Sequence, residues 1–110
     1  MAVTDERMAR NEALFREVNE HVAGVSQRID GLAEIDFLCE CADGGCKEAI
    51  TLHRAEYESV RSHPRQFLIV PGHAVPEIEV VREETPRYEI VRKVGAAGRL
   101  AEVTNPRERA

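Results

Sequence analysis

The chain has 110 residues, a formal net charge of −5, no tryptophan and five aromatic residues in all. This length suits one domain with one modest core. The acidic balance, without a continuous stripe of basic and aromatic residues, disfavours nucleic-acid binding. No run approaches the roughly 18 apolar residues of a membrane span, and the first residues lack a signal-peptide core. We therefore expect a cytoplasmic protein with no membrane partner.

Residues 1–32 predict one long amphipathic helix. Their apolar residues recur at spacings of three and four, as in a heptad seam, and only Asn11 interrupts the pattern. Thr4 or Asp5 would cap the start, and Gly31 would end the helix. We expect the seam either to pack on the rest of the domain or to contact a protein partner, which includes a second copy in a homodimer. Its residues are Phe15, Val18, Val22, Val25, Ile29 and Leu32.

The pattern changes to strand alternation after the helix. Ile35, Phe37, Cys39 and Cys41 alternate with residues 36, 38 and 40, so both cysteines are predicted on one face. Residues 48–52 predict a short return strand. Thr51 would cap a helix over residues 52–62, which ends before Pro64 because the residue before a proline disfavours helix.

The remaining segments predict the rest of the fold. Residues 66–70 form an apolar run typical of a buried strand. Residues 77–82 and 87–93 predict a hairpin, although residues 76–84 could also form a short helix. Residues 95–110 are small and polar and predict a flexible tail. The expected fold is α+β, in one structural domain: the long helix, a small zinc-binding module over residues 33–94 with an antiparallel sheet and one short helix, and the tail.

All the cysteines of the chain lie within eight positions, as Cys39, Cys41 and Cys46. The turn sequence Asp43-Gly44-Gly45 returns the chain so that the third cysteine approaches the first two. Clustered thiolates are typical ligands of zinc and, as an alternative, of an iron–sulfur cluster. In a reducing cytoplasm such cysteines hold metal more often than they form disulfides. The sequence therefore predicts a metal site, with Zn²⁺ preferred.

A tetrahedral site needs a fourth ligand. We prefer His73, which follows the predicted buried strand at a Pro-Gly turn, and we keep His53 as the alternative; water or an acidic group stays open. His21 and His63 are expected at the surface. Three thiolates and one imidazole would leave no open coordination position, which predicts a structural and not a catalytic metal.

Several phrases of the sequence carry a resemblance. They are Asn11-Glu12-Ala13-Leu14-Phe15-Arg16, Phe37-Leu38-Cys39-Glu40-Cys41 with Cys46, residues 56–61, Phe67-Leu68-Ile69-Val70-Pro71-Gly72-His73, and Arg87-Tyr88. Through them the chain resembles, over most of its length, a group of small uncharacterised proteins from actinobacteria and other GC-rich bacteria. The resemblance implies one cytoplasmic domain and is consistent with a Cys/His site; it implies no activity, substrate or partner.

Two functional hypotheses follow from the sequence. In the first, the protein is a small zinc-binding adaptor or regulator, in which the metal is structural and the helix mediates a protein contact. In the second, it is a thiol redox protein whose reactive pair is Cys39 and Cys41, because a C-x-C disulfide closes a small strained ring and is labile. No carboxylate pair, Ser/His/Asp set or phosphate-binding glycine loop stands out, so an enzyme is not the favoured class.

Overall fold

The computed structural model describes residues 5–25 and 33–107, which form three helices and five strands. This arrangement confirms the α+β class, with an N-terminal helix and small antiparallel sheets. In chain order the elements are α1 (Asp5–Val25), β1 (Glu34–Leu38), β2 (Ala49–His53), α2 (Arg54–Arg61), β3 (Gln66–Ile69), β4 (Glu79–Glu84), β5 (Glu89–Lys93) and α3 (Gly95–Val103).

The strands form two antiparallel sheets around a shared core. Strands β1 and β2 make a two-stranded hairpin, and the second sheet has the order β3-β5-β4. Phe37 of the hairpin stacks on Tyr57 of α2 with ring centroids 4.4 Å apart, a contact worth about 0.5–1.5 kcal/mol beyond its area burial. The other large core side chains include Ile50, Leu52, Val60, Phe67, Leu68, Ile69 and Val91.

The segment after β1 joins the two sheets. The backbone N–H of Glu40 donates to the Leu68 carbonyl at 2.7 Å, and the Leu68 N–H donates to the Glu40 carboxylate at 2.9 Å. Strand β3 would otherwise present an open edge, so this pairing satisfies backbone groups that the sheet leaves free. The second carboxylate oxygen of Glu40 accepts hydrogen bonds from Asn19 and from the Tyr57 hydroxyl. Glu40 thus ties β1 to β3, α1 and α2.

Helix α2 begins later than predicted. Its N-cap is His53 and not Thr51, because Glu56 in the first turn accepts a hydrogen bond from the His53 N–H at 2.9 Å. Thr51 instead lies within β2, where its hydroxyl donates to Asp36 across the hairpin. The predicted hairpin over residues 77–93 is confirmed: residues 79–84 form a strand, with an irregularity in register between Val81 and Glu83.

The prediction of a flexible tail from residue 95 is wrong for residues 95–103, which form α3. Small residues suggested fraying, but three of them, Ala97, Gly98 and Ala101, are buried in the contacts that α3 makes with α1 and β5. A Cβ on Gly98 would lie 2.6 Å from the Arg65 guanidinium. The small side chains therefore permit close approach, and a sequence read alone cannot distinguish that use from disorder.

Helix α1 does not place the predicted seam at the centre of its buried face. Phe15 and Val22 are half-buried, whereas Val18 and Val25 are 40% and 57% exposed. The fully buried positions lie one residue further along, a rotation of about 100°, and they are Glu12, Arg16, Asn19 and Ala23. Ile29, Leu32 and the predicted end of the helix at Gly31 lie outside the described residues.

Candidate metal centre

The structure brings together the four preferred ligands. The sulfurs of Cys39, Cys41 and Cys46 and a ring nitrogen of His73 all lie within 4.8 Å of one another. The Nδ1 atom of His73 is 3.5 Å from the Cys39 sulfur and 3.8 Å from the Cys46 sulfur. A tetrahedral zinc ion with its usual bond lengths separates a sulfur from a nitrogen ligand by about 3.6 Å. The group could therefore hold a metal ion without a large rearrangement.

The β1–β2 hairpin places the three cysteines. The Cys39 N–H donates to the Glu48 carbonyl at 2.9 Å, which continues the ladder one step beyond the Leu38–Ala49 pair. The ladder ends there, and the turn that follows returns the chain to Cys46. Because side chains alternate along a strand, Cys39 and Cys41 point to one face, and Glu48, which lies across from Cys39, shares that face.

A tight turn closes this end of the hairpin. The Cys46 N–H donates to the Asp43 carbonyl at 3.0 Å, and the Gly45 N–H donates to the Asp43 carboxylate at 2.8 Å. The carbonyl of Ala42 accepts a 2.9 Å hydrogen bond from the Asn11 side chain. The cysteine turn is thereby held against α1.

The turn after β3 supplies His73. Gly72 adopts φ +89°, which favours glycine, and the His73 N–H donates to the Val70 carbonyl at 3.1 Å. Val70 also donates its own N–H to the Cys39 sulfur at 3.2 Å. Backbone donors of this kind stabilise thiolate charge around a metal.

The imidazole of His73 is oriented by a carboxylate. Its Nε2 atom lies 3.0 Å from Glu48 Oε2, so an Nε2–H can donate to Glu48 while Nδ1 faces the sulfurs. Histidines that bind metals commonly hold this arrangement, which fixes the tautomer and raises the basicity of the ligating nitrogen. We did not anticipate Glu48 from the sequence, although strand alternation places it on the same face as Cys46.

The thiols are polarised against one another. A hydrogen bond from the Cys39 thiol lowers the pKa of Cys41 to about 5, and the same bond raises the pKa of Cys39. Burial raises the pKa of Cys46. The thiolate form is therefore favoured at Cys41 and disfavoured at Cys39 and Cys46. A bound cation is the physical means by which three thiolates can coexist in so small a volume.

The other histidines lie elsewhere. His53 is the N-cap of α2 and does not belong to the four-residue group, so the alternative fourth ligand is not brought to the site. His21 is exposed on α1, and His63 is half-buried beyond α2. Within residues 5–25 and 33–107, no second group of three or more Cys, His, Asp or Glu side chains has spacing suitable for a metal.

A cavity of about 400 Å³ opens beside the group. Its apolar lining comes from Met8, Ala42 and Val75, and its polar lining comes from Cys41, Asp43 and His73. Two of the four candidate ligands thus face a space that a small solute can enter. The same cavity would provide an entry path for a metal ion bound by the group.

Glu40 is the second important residue that we did not anticipate from the sequence. It lies between Cys39 and Cys41, where strand alternation suggests a solvent-facing position, yet it is fully buried. Burial raises the pKa of its carboxyl group, and hydrogen bonds from Leu68, Asn19 and Tyr57 oppose that effect. The backbone that carries the two cysteines is consequently fixed from both sides.

No protein-family model, curated protein or solved structure matches the chain. Among the described residues, no helix combines the length and the apolar character needed to cross a membrane.

Proposed function

We propose that the protein binds one Zn²⁺ ion through Cys39, Cys41, Cys46 and His73, and that this ion is structural. The observation that carries the proposal is the spacing of the four ligand atoms, all within 4.8 Å of one another. Three sulfurs and one imidazole are a usual donor set for structural zinc. The histidine favours zinc over the alternative iron–sulfur cluster, for which four cysteines are the usual ligands.

The position of the group explains why its metal would be structural. A two-stranded hairpin such as β1–β2 is at best marginally stable by itself. A metal bound to three cysteines of the hairpin and to His73 would join that hairpin to the turn after β3. Cys39 and Cys41 are each 1% exposed, and four protein ligands leave no position for a reacting water.

We further propose that this module presents α1 to a protein partner in the cytoplasm, which would make the protein an adaptor or regulator. Three large apolar side chains of α1 are 40–58% exposed: Leu14, Val18 and Val25. Spacings of four and seven residues place them along one side of the helix. The partner is another protein or a second copy of the chain.

Metal analysis tests the zinc proposal. Protein purified without chelator should contain one zinc per chain, and its cysteines should react with a thiol reagent only after a chelator is added. His73→Ala should lower zinc retention, whereas the matched control His53→Ala should retain it. Metal-free protein with a reducible Cys39–Cys41 bond would support the redox hypothesis instead.

Sedimentation velocity tests the role of α1. If α1 forms a homodimer, the sedimentation coefficient should rise with concentration, and a Leu14→Glu/Val18→Glu variant should stay monomeric. Glu17→Gln, an exposed change on the same helix, is the matched control. A monomer at all concentrations would remove the homodimer, and the same variants then serve in partner capture.

One observation favours the second candidate function, a thiol redox protein. The hydrogen bond from Cys39 lowers the pKa of Cys41 to about 5, so that a thiolate forms readily. Against it, both sulfurs belong to residues that are 1% exposed, and the Cys39 sulfur is held by the Val70 N–H. We therefore rank this function below the zinc site.

A further inference from the structure

We propose that the zinc site is also a peroxide-responsive switch, in which Cys41 and Cys46 join as a disulfide and the metal is released. This inference rests on the proposed zinc site. It differs from the redox hypothesis drawn from the sequence, because the pair that reacts spans the hairpin turn and is not the C-x-C pair.

The turn brings this pair together. The Cys46 N–H closes the turn on the Asp43 carbonyl, and the sulfurs of Cys41 and Cys46 lie within 4.8 Å of each other. The Cys39 sulfur lies within the same distance, so the contacts of Cys39 decide which two cysteines react.

Backbone contacts disfavour a bond between Cys39 and Cys41. The Cys39 N–H is bonded to Glu48, the Cys39 sulfur accepts the Val70 N–H, and the next residue is bonded to Leu68. A disulfide of Cys39, to either of the other cysteines, would draw its sulfur away from the Val70 N–H. Cys46 instead follows the exposed residues Gly44 and Gly45, so its approach to Cys41 needs a change only in the turn.

Exposure indicates where the reaction begins. Cys46 is half-buried, whereas Cys39 and Cys41 are each 1% exposed. The Cys46 thiolate attacks one oxygen of hydrogen peroxide, so that an S–O bond forms and the O–O bond breaks. The leaving hydroxide takes up a proton and becomes water. The product is a sulfenic acid on Cys46.

The second step closes the disulfide. The Cys41 thiolate attacks the Cys46 sulfur, an S–S bond forms, the S–O bond breaks, and the second hydroxide leaves as water after protonation. The two sulfurs have then lost two electrons and the peroxide has gained them. Only Cys39 and His73 remain as ligands, too few for a closed zinc site, and the metal dissociates.

The test treats the zinc-loaded full chain with a tenfold excess of hydrogen peroxide. Released zinc is followed with a chromogenic chelator, and disulfides are mapped by mass spectrometry of peptides under non-reducing conditions. We expect one zinc released for each Cys41–Cys46 disulfide formed, and both changes should reverse with dithiothreitol and added zinc. Retention of zinc, or zinc release with Cys39 in the disulfide, would overturn the proposal.

Variants keep this test independent of zinc affinity. Cys39→Ser should still form the Cys41–Cys46 disulfide, whereas the yield of intramolecular disulfide in Cys41→Ser and in Cys46→Ser should fall at least tenfold. Mapping is repeated on metal-free protein. A chain that purifies without zinc contradicts the proposed function, and the disulfide formed in the metal-free chain still decides which pair reacts.

Discussion

Two regions of this molecule keep polar groups in the interior in different ways. At one end of the hairpin, three thiols and an imidazole converge within 4.8 Å of one another. Beneath α1, charged side chains neutralise each other: the Lys93 ammonium contacts the carboxylates of Glu12 and Glu79, and all three residues are at most 3% exposed. The first region could take an ion from outside the chain, whereas the second uses partners that the fold itself supplies.

The second region also contains Arg16, which is fully buried on the same face of α1. Its guanidinium donates to the carbonyls of Pro64 and Ala101 at 2.8 and 2.9 Å and lies 4.5 Å from the centre of the Phe67 ring. Burial of charge is costly unless every group is paired. The comparison teaches that the docking of α1 is specified by polar partners within the chain, whereas the hairpin carries a cysteine–histidine group that could hold a metal.

Removal of the metal should have the largest effect. Structural zinc contributes on the order of 10 kcal/mol in small modules, comparable with the whole stability of a domain. A chelator should therefore unfold the hairpin, which we expect to see as a large fall in the melting temperature. A chelator-treated sample of Cys41→Ser is the control. If the chelator left the melting temperature of the wild type unchanged, the hairpin would not be stabilised by a metal.

Removal of the buried Lys93 ammonium should destabilise the charged region beneath α1. Lys93→Met leaves two carboxylates buried without their cation, and such a change costs about 3–5 kcal/mol. Urea unfolding measures this loss, and the zinc content should not change.

The matched control for Lys93→Met removes the charges together. A triple variant, Glu12→Leu with Glu79→Gln and Lys93→Met, should recover at least half of the loss, because no unpaired charge remains. The Gln side chain at position 79 can still accept the Val75 N–H. Equal destabilisation by the single and triple variants would contradict this account.

The charged region should also make stability depend on pH. Burial raises the pKa of Glu79 from 4.5 to about 7, so the folded state binds more protons than the unfolded state in this window. The contribution of Glu79 is fully present below pH 4.5 and is lost as pH rises to about 7, by at most about 3 kcal/mol. The measurement is the difference in unfolding free energy between wild type and Glu79→Gln from pH 5 to pH 8, in which the pH dependence of zinc binding cancels. A difference that does not change with pH would contradict this contribution of Glu79.

The smallest predicted effect concerns Glu48, which lies beside His73 of the cysteine–histidine group. Glu48→Gln weakens the acceptor that orients His73, and loss of such a partner typically lowers metal affinity about 10–100-fold. Competition with a fluorescent zinc chelator measures the change. Glu84→Gln, an exposed acidic residue on β4, is the control and should leave the affinity unaltered; an equal loss in both would assign the effect to net charge.

The cysteine–histidine group could be predicted from the sequence because its determinants are local. Strand alternation puts Cys39 and Cys41 on one face, a Gly-Gly turn returns Cys46, and a Pro-Gly turn after a buried strand marks His73. Glu48 and Glu40 were missed, although both lie inside the same stretch. Their roles depend on a cross-strand neighbour and on β3, which an alternation pattern does not include.

Only the tertiary structure decided how α1 lies on the domain. Apolar periodicity predicted a face centred on Phe15 and Val22, but the buried face carries Glu12, Arg16 and Asn19. Their partners include Lys93 and Ala101, which are 81 and 85 residues away from Glu12 and Arg16. A polar side chain can be buried when its partners are in place, and the sequence does not show that those partners, brought by β5 and α3, lie beneath the helix. The sequence by itself therefore determined the hairpin and its candidate ligands, and long-range pairing decided the rotation of the helix.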